Sequence, residues 1–459
     1  MGGTEEVRMT SRHLIPPRLV VALSMAALIV AACSSGGATT APSASIPATV
    51  APASQGPESA APPAEPGVDD GTTITMWTRS VTAAQTEALV KAYNETHKNQ
   101  VELTIVPFQE YLQKVGAAAG GNQLPDLLGG NVIDGPNYAS RGLWQDLTGR
   151  IDELPFKDAL APSHITAASL DGKVYAVPHV IDVSALYFNE VLFAQAGLDP
   201  AAPPTTLAEL EEAADKIAAL GPDYGGIYFP GNCAGCLVFT VWPSIWGSGG
   251  TVMNPDGTAA TLDSTESIAV FSAYNEMFKS GTMMDSSRNE GGPTQNEAFA
   301  TGKVGFALLG SKALGTIAES ADLKMGVTPI PSVNGGVSTF VGGDMMGVSA
   351  SSTKVDAAWN FLAWSMSEEV QLELFAKSLF IPVRTDLAEN EYAANDPRLV
   401  TFNKLVGEGE TPYSKNFFQC FNDPNGPWLS LIRDAVFGED AAAAATNGSA
   451  KVTSCLVGS

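Results

Sequence analysis

Positive charge is scarce in this sequence. Lys and Arg number 25 against 49 Asp and Glu, a formal net charge of −24 with four histidines. A surface of that sign repels phosphate backbones and anionic lipid head groups, so no nucleic-acid partner is expected. Catalytic signatures are also missing: there is no GxSxG, no HExxH and no P-loop. His97, His164 and His179 are scattered and nothing marks any of them as a base. Cys233-Ala234-Gly235-Cys236 has no second CxxC or histidine pair to complete a metal site, so neither a metal nor a cofactor is expected. The 49 carboxylates leave a sugar-cleaving pair open, since separation in space is not visible in a sequence.

Long apolar runs are nearly absent as well. The one run, Leu19 to Ala32, follows Arg8, Arg12 and Arg18 and is shorter than the ~20 residues that span a bilayer. Its length and basic flank fit a signal peptide over residues 1–32. It ends Val30-Ala31-Ala32-Cys33-Ser34, which looks like a bacterial lipobox with Cys33 as the lipidated residue. Removing Cys33 turns five cysteines into four, an even number suited to an oxidising compartment. The simplest pairing is Cys233 with Cys236 and Cys420 with Cys455, with other connectivities open. Cys233-x-x-Cys236 is therefore expected to be a structural disulfide in preference to a redox site. Residues 33–71 are almost entirely Ala, Ser, Pro, Thr and Gly, a tether unable to bury a core.

What is present is a chain of 459 residues, enough for two compact domains. From Thr72 the texture changes. Thr73 to Trp77 and Val101 to Ile105 alternate like strands, Gln85 to His97 and Tyr111 to Ala119 pattern as helices, and Asp126 to Leu128 is a further strand. Strands alternating with helices point to an α/β fold with a parallel sheet. Thr206 to Glu209 and Ser365 to Glu368 form capping boxes, the second opening a helix over Glu368 to Lys377. Ser351 and Lys354 give a formal SxxK, explained by helix capping.

Several segments in order resemble the carbohydrate-binding members of the extracellular solute-binding proteins of ABC importers. They are Ile74 to Trp77, Gln123 to Leu128, Arg141 to Thr148, Asp171 to Pro178, Leu186 to Asn189, Ala196 to Leu198, Trp246 to Gly250, Gly302 to Phe306 and Gly342 to Ser349. The resemblance implies an α/β fold of two lobes with crossing hinge segments and a ligand cleft between them, closing by hinge motion. It places one lobe at 72–181 plus 342–394 and the other at 182–341 plus 395–459, with crossings near Val180 to Val183, Val341 to Met345 and Tyr392 to Pro397. It further implies a lipoprotein outside the membrane, monomeric and touching lipid only through its anchor, that hands a sugar to permease subunits.

Sugars present apolar faces and hydroxyl edges, so their sites combine aromatic platforms with charged or polar hydrogen-bonding groups. On that basis, and from the resemblance, the ligand is expected at Trp77, Arg79, Ser80, Asn131, Asp134, Asp182, Trp242, Trp246, Ser311, Lys312, Gly343, Asp344, Arg384 and Trp428. Lys312 departs from the aromatic that the maltose-binding group carries there. Arg79, Lys312 and Arg384 also leave room for a phosphorylated polyol or another anion. A secreted carbohydrate-active enzyme is the alternative from another class, and product formation separates it from a binder.

Overall fold

A computed structural model describes residues 67–458 except Pro293. The export segment, Cys33 and the tether up to residue 66 lie outside the described residues. The tether, expected to reach Gly71, gives way sooner. The amide of Val68 donates to the Asp356 carbonyl at 3.0 Å, and the buried Asn99 Oδ1 accepts from the amides of Asp70, Gly71 and Thr72. Gly67 lies so close to Asn360 that a Cβ would fall 2.2 Å from its nitrogen. Backbone polarity, satisfied by one buried amide side chain, docks residues too poor in apolar surface to dock otherwise.

Among the described residues ten strands form: β1 (Thr73–Arg79), β2 (Gln100–Val106), β3 (Leu127–Asn131), β4 (Ser169–Leu170), β5 (Lys173–Val174), β6 (Val177–Asn189), β7 (Gly225–Tyr228), β8 (Val304–Gly310), β9 (Met325–Thr328) and β10 (Val341–Val348). The main sheet runs β2-β1-β3-β10-β6-β8-β7, with β9 also on β6, while β4 and β5 form a small hairpin. The parallel sheet expected from sequence is mixed instead. β2, β1 and β3 are parallel, as are β7 and β8, but β10 runs antiparallel to both β3 and β6. Helix–strand alternation near the N-terminus is a local signal and carries no information about a strand returning from residue 341.

β6 joins the two lobes. Val177 to Val183 pair with β10, and Ser184 to Asn189 pair with β8 and β9. Its sequence is mostly apolar, as suits a strand covered on both faces; His179, Ser184 and Asn189 are buried polar residues in it, and Asp182 is its one partly exposed residue. β10 crosses beside it with a register shift at Asp344/Met345. Gly343 precedes the shift at φ +114°, where a Cβ would overlap the Val180 carbonyl, so only glycine fits. A third strand-like contact joins them, as Val341 N–H donates to the Glu410 carbonyl and Glu410 N–H to the Thr339 carbonyl. Thr385 still donates to Ala159 in the first lobe, whereas the helix Pro397–Leu405 packs on β6 and β9.

Local signals placed some helix starts. Thr206 and Glu209 make the capping box reciprocally at the head of Leu207–Ala218. Ser367, not Ser365, caps the second, because Ser365 is the last residue of the preceding helix Val355–Ser365. The segment it opens turns α-helical only to Val370 before a wider turn over Gln371–Phe375. Lys354 is the N-cap of Val355–Ser365 but its side chain makes no cap bond, and Ser352 Oγ accepts the Lys354 amide at 3.1 Å. They bind Asp126, Ser352 Oγ to Oδ1 at 2.8 Å and Lys354 Nζ to Oδ2 at 3.1 Å. Cys233 is bonded to Cys236, and Cys420 to Cys455. Among the described residues no helix is long and apolar enough to cross a membrane.

Candidate ligand cleft

The carboxyl ends of β1 and β3 and the segment Tyr413 to Asn422 of the second lobe face one another. Between them lie two adjoining compartments that share Leu112, Asp134 and Phe418. The inner one, about 220 Å³, is also walled by Arg79, Phe108, Tyr111, Asn131 and Asn422. The outer one, about 740 Å³, adds Tyr138, Arg141, Tyr413 and Lys415. Tyr413 Oη and Asn137 Oδ1 approach to 3.4 Å across the gap.

Residues of β1 alternate. Ile74, Met76 and Thr78 are buried on one face, and Trp77 and Arg79 share the other. Arg79 is buried and pairs with Asp344 through two hydrogen bonds, Nε to Oδ2 at 3.1 Å and a second from its terminal nitrogen to Oδ1. Thr82 Oγ1 donates to the same carboxylate at 2.8 Å. Burial works against the Arg79 charge, yet Asp344 outweighs it and holds the guanidinium above its ordinary value. The cation nearest the inner compartment is therefore neutralised by its own protein.

Asn131 caps the short turn Val132–Asp134, accepting from the Ile133 amide at 3.3 Å. That cap sets Asp134 at the wall shared by both compartments. No described donor hydrogen-bonds its carboxylate. Burial pushes its pKa up to about 6, opposed by Arg79 and reinforced by Asp344.

A second polar cluster sits at the hinge. Asp182 accepts from Ser311 Oγ at 2.8 Å, and Lys312 Nζ lies 3.6 Å from its other oxygen. Lys312 also donates to the Val81 carbonyl in the first lobe at 3.3 Å. Phe239 packs over this cluster, against Phe340 at 5.6 Å, where Gly310 and Gly342 leave room for its ring.

A model of the bacterial extracellular solute-binding protein family matches residues 88–401. The chain belongs to this family. Among curated relatives it is 26% identical to the diacetylchitobiose binding protein DasA of Streptomyces coelicolor, over 82% of this chain and 88% of that one. It is 25% identical to the sn-glycerol-3-phosphate-binding protein UgpB of Brucella melitensis, over 74% of this chain and 82% of that one. Among solved structures, the GacH receptor of Streptomyces glaucescens, determined unliganded and with acarbose, matches with a TM-score of 0.70 and 26% identity, covering 84% of this chain and 98% of that one. DasA and UgpB are binding proteins by name, and the GacH receptor shares the two-lobe fold described above.

Within this solute-binding protein the residues singled out from sequence divide. Arg79, Asn131 and Asp134 line the inner compartment, with Asp344 behind Arg79. Asp182, Ser311, Lys312 and Gly343 gather at the hinge. Ser80 reaches the cleft indirectly, accepting the Phe108 amide at 3.0 Å and so fixing that ring's loop. The tryptophans depart from expectation. Trp77 lies under the helix Tyr111–Gly120 with Lys114 Nζ 4.4 Å above its ring. Trp242 and Trp428 are fully buried, 5.8 Å apart edge to face, and Trp428 Nε1 donates to the Ala234 carbonyl. Trp246 is buried beside Phe340 and borders a separate surface recess. Arg384 sits away from the cleft, in a bidentate pair with Asp386 and over the Phe156 ring.

The exposed aromatics of the cleft are others: Phe108 at 39%, Phe418 at 37% and Tyr413 at 37% exposure. They stand in loops and short turns, outside any apolar periodicity. The available signal was an aromatic in a Pro- and Asn-containing polar loop, where binding residues concentrate.

Proposed function

We propose that this protein captures a neutral mono- or oligosaccharide between its lobes and delivers it to the permease of an ABC importer, without chemical turnover. The observation that carries the reading is the cleft itself. Three exposed aromatic faces, Phe108, Phe418 and Tyr413, surround a carboxylate, Asp134, that no described donor satisfies. Aromatic faces fit the C–H faces of a sugar ring, and a carboxylate accepts strong hydrogen bonds from hydroxyls. The cations singled out for an anionic ligand are each paired, Arg79 with Asp344, Lys312 with Asp182 and Arg384 with Asp386. Similarity to DasA and to a receptor solved with acarbose supports the same reading. A lipid on Cys33 and the residues after it would moor the domain to the outer face of the membrane, as a monomer.

A second reading, an anionic solute, is favoured by the similarity to UgpB and by Arg141 and Lys415, which line the outer compartment without a carboxylate partner. Both side chains are exposed, so solvent and salt screen them. A thermal-shift panel of sugars, sugar phosphates and glycerol phosphate separates the readings. A ligand at 100 times its Kd adds about 2.7 kcal/mol to the folded state. Neutral sugars are expected to raise the melt and to be recovered intact by mass spectrometry. A cleaved sugar would make the protein an enzyme, and a shift by phosphates alone would replace the sugar with an anion.

A further inference from the structure

The two disulfides differ in their surroundings. Cys420 is fully buried, whereas Cys233 and Cys236 are both partly exposed. Cys233 follows the edge strand β7 after a short loop and is the N-cap of the 14-residue helix Ala234–Gly247. Its sulfur takes the place of a capping oxygen, accepting the Cys236 amide at 3.2 Å. Gly292 lies against both sulfurs at φ +103°, where a Cβ would come 2.9 Å from Cys236 Sγ and 3.1 Å from Cys233 Sγ. The charge free to act on this loop is positive. Arg433 donates to the carbonyls of Gly231 and Arg288 at 2.7 and 2.6 Å, and no described carboxylate pairs with it. Glu290, two residues before Gly292, is already engaged by the Gly292 amide and the Tyr228 and Thr294 hydroxyls, all within 2.8 Å. A helix N-terminus and a neighbouring cation both stabilise a thiolate, here at Cys233.

Opening this bond costs the fold little. It closes a span of only three positions. The backbone around it is held independently: the Cys233 amide donates to the Pro230 carbonyl at 3.0 Å, the Leu237 amide to the Cys233 carbonyl at 3.0 Å, and the Asn232 amide to the Glu290 carbonyl at 2.8 Å.

We propose that Cys233–Cys236 is an exchange-active disulfide, which accepts two electrons from a dithiol outside the cytoplasm while the domain stays folded. A thiolate of the dithiol attacks Cys236 Sγ and displaces Cys233 Sγ, the sulfur whose negative charge the helix amide supports. The second thiol of the dithiol then attacks its own sulfur in the mixed disulfide and displaces Cys236. The dithiol leaves as a disulfide, its two protons pass to Cys233 and Cys236, and both cysteines end as thiols. This activity is separate from ligand capture and does not depend on which solute the cleft holds.

The test is a redox titration of the whole protein in mixtures of reduced and oxidised dithiothreitol, quenched by alkylation and mapped by peptide mass spectrometry. Cys233 and Cys236 are expected to become labelled at a reduced-to-oxidised ratio at least about tenfold lower than Cys420 and Cys455, with the native circular dichroism retained. In Cys236→Ser, the pH profile of Cys233 alkylation should have its midpoint below the value of about 8.5 for a free thiol. Reduction of both pairs at the same ratio, or loss of the native spectrum as Cys233–Cys236 opens, would overturn the proposal and leave a structural disulfide. A midpoint at or above that of a free thiol would overturn it as well.

Discussion

Arg79 and Asp344 stand 265 positions apart in the chain and form a buried ion pair that ties the end of β1 to the crossing strand β10. The pair lies directly behind the inner wall of the cleft, so it braces the site as well as the fold. Removing one partner strands the other in a dry setting. Asp344→Ala is expected to destabilise the protein by about 3–5 kcal/mol, read as a lower urea midpoint with unchanged slope. An effect below 1 kcal/mol would mean that solvent reaches Arg79.

Exposed and buried aromatics should separate stability from binding. Trp428 is fully buried, so Trp428→Ala is expected to cost about 3–5 kcal/mol of stability. Phe418→Ala removes a ring 37% exposed in the cleft and should leave the melting temperature within a few degrees. Its sugar affinity should fall about tenfold, through loss of a stacking face. Melting curves and titrations on the two variants give the comparison.

The Cys420–Cys455 disulfide closes a span of 35 residues and holds the turn Phe418–Asn422, three of whose residues, Phe418, Gln419 and Asn422, line the cleft. Cys420→Ser with Cys455→Ser is expected to cost about 2–5 kcal/mol. It should also weaken ligand binding, because Phe418 and Asn422 lose their anchor. Cys233–Cys236 spans only three positions, and its loss should cost less. Melts of the two double variants under oxidising conditions test the ranking.

Acid should destabilise the protein. His164 and His179 are buried, and burial pushes both pKa values down to about 4. A histidine depressed in the folded state contributes stability above the unfolded value of about 6.5, lost as pH falls from there toward 4. Asp134 works in the opposite sense, since its raised pKa favours the folded state as pH drops through 6. Burial also raises the Glu211 and Glu410 carboxyls, in the same sense as Asp134 but less, so the two histidines dominate and stability is expected to fall between pH 6.5 and 4. A melting temperature constant over that interval would contradict the burial of both rings.

The lobed α/β architecture was legible in ordered short motifs, because each marks a turn or strand end with strict backbone demands. Gly343 and Asp182 at the crossings are such points. The antiparallel placement of β10 was not legible, since partners as far apart as Asn131 and Asp344 leave no local pattern. Among site residues, Arg79, Asn131, Asp134, Ser311 and Lys312 came from polar residues at or just past strand ends together with the family resemblance, and Asp182 from a carboxylate inside an apolar strand. Tryptophan misled, because a large aromatic serves a core as well as a ligand, and composition alone does not say which. Phe108, Phe418 and Tyr413 were passed over because exposure is set by tertiary packing, not by residue type.

The most direct measurement is native mass spectrometry of the protein incubated with a mixture of neutral oligosaccharides and sugar phosphates, set beside the Phe108→Ala/Phe418→Ala double variant. Capture in this cleft requires that the wild type retain an intact neutral sugar and that the double variant lose it while staying folded. A sugar retained equally by both proteins, or retention of the phosphates alone, would contradict it.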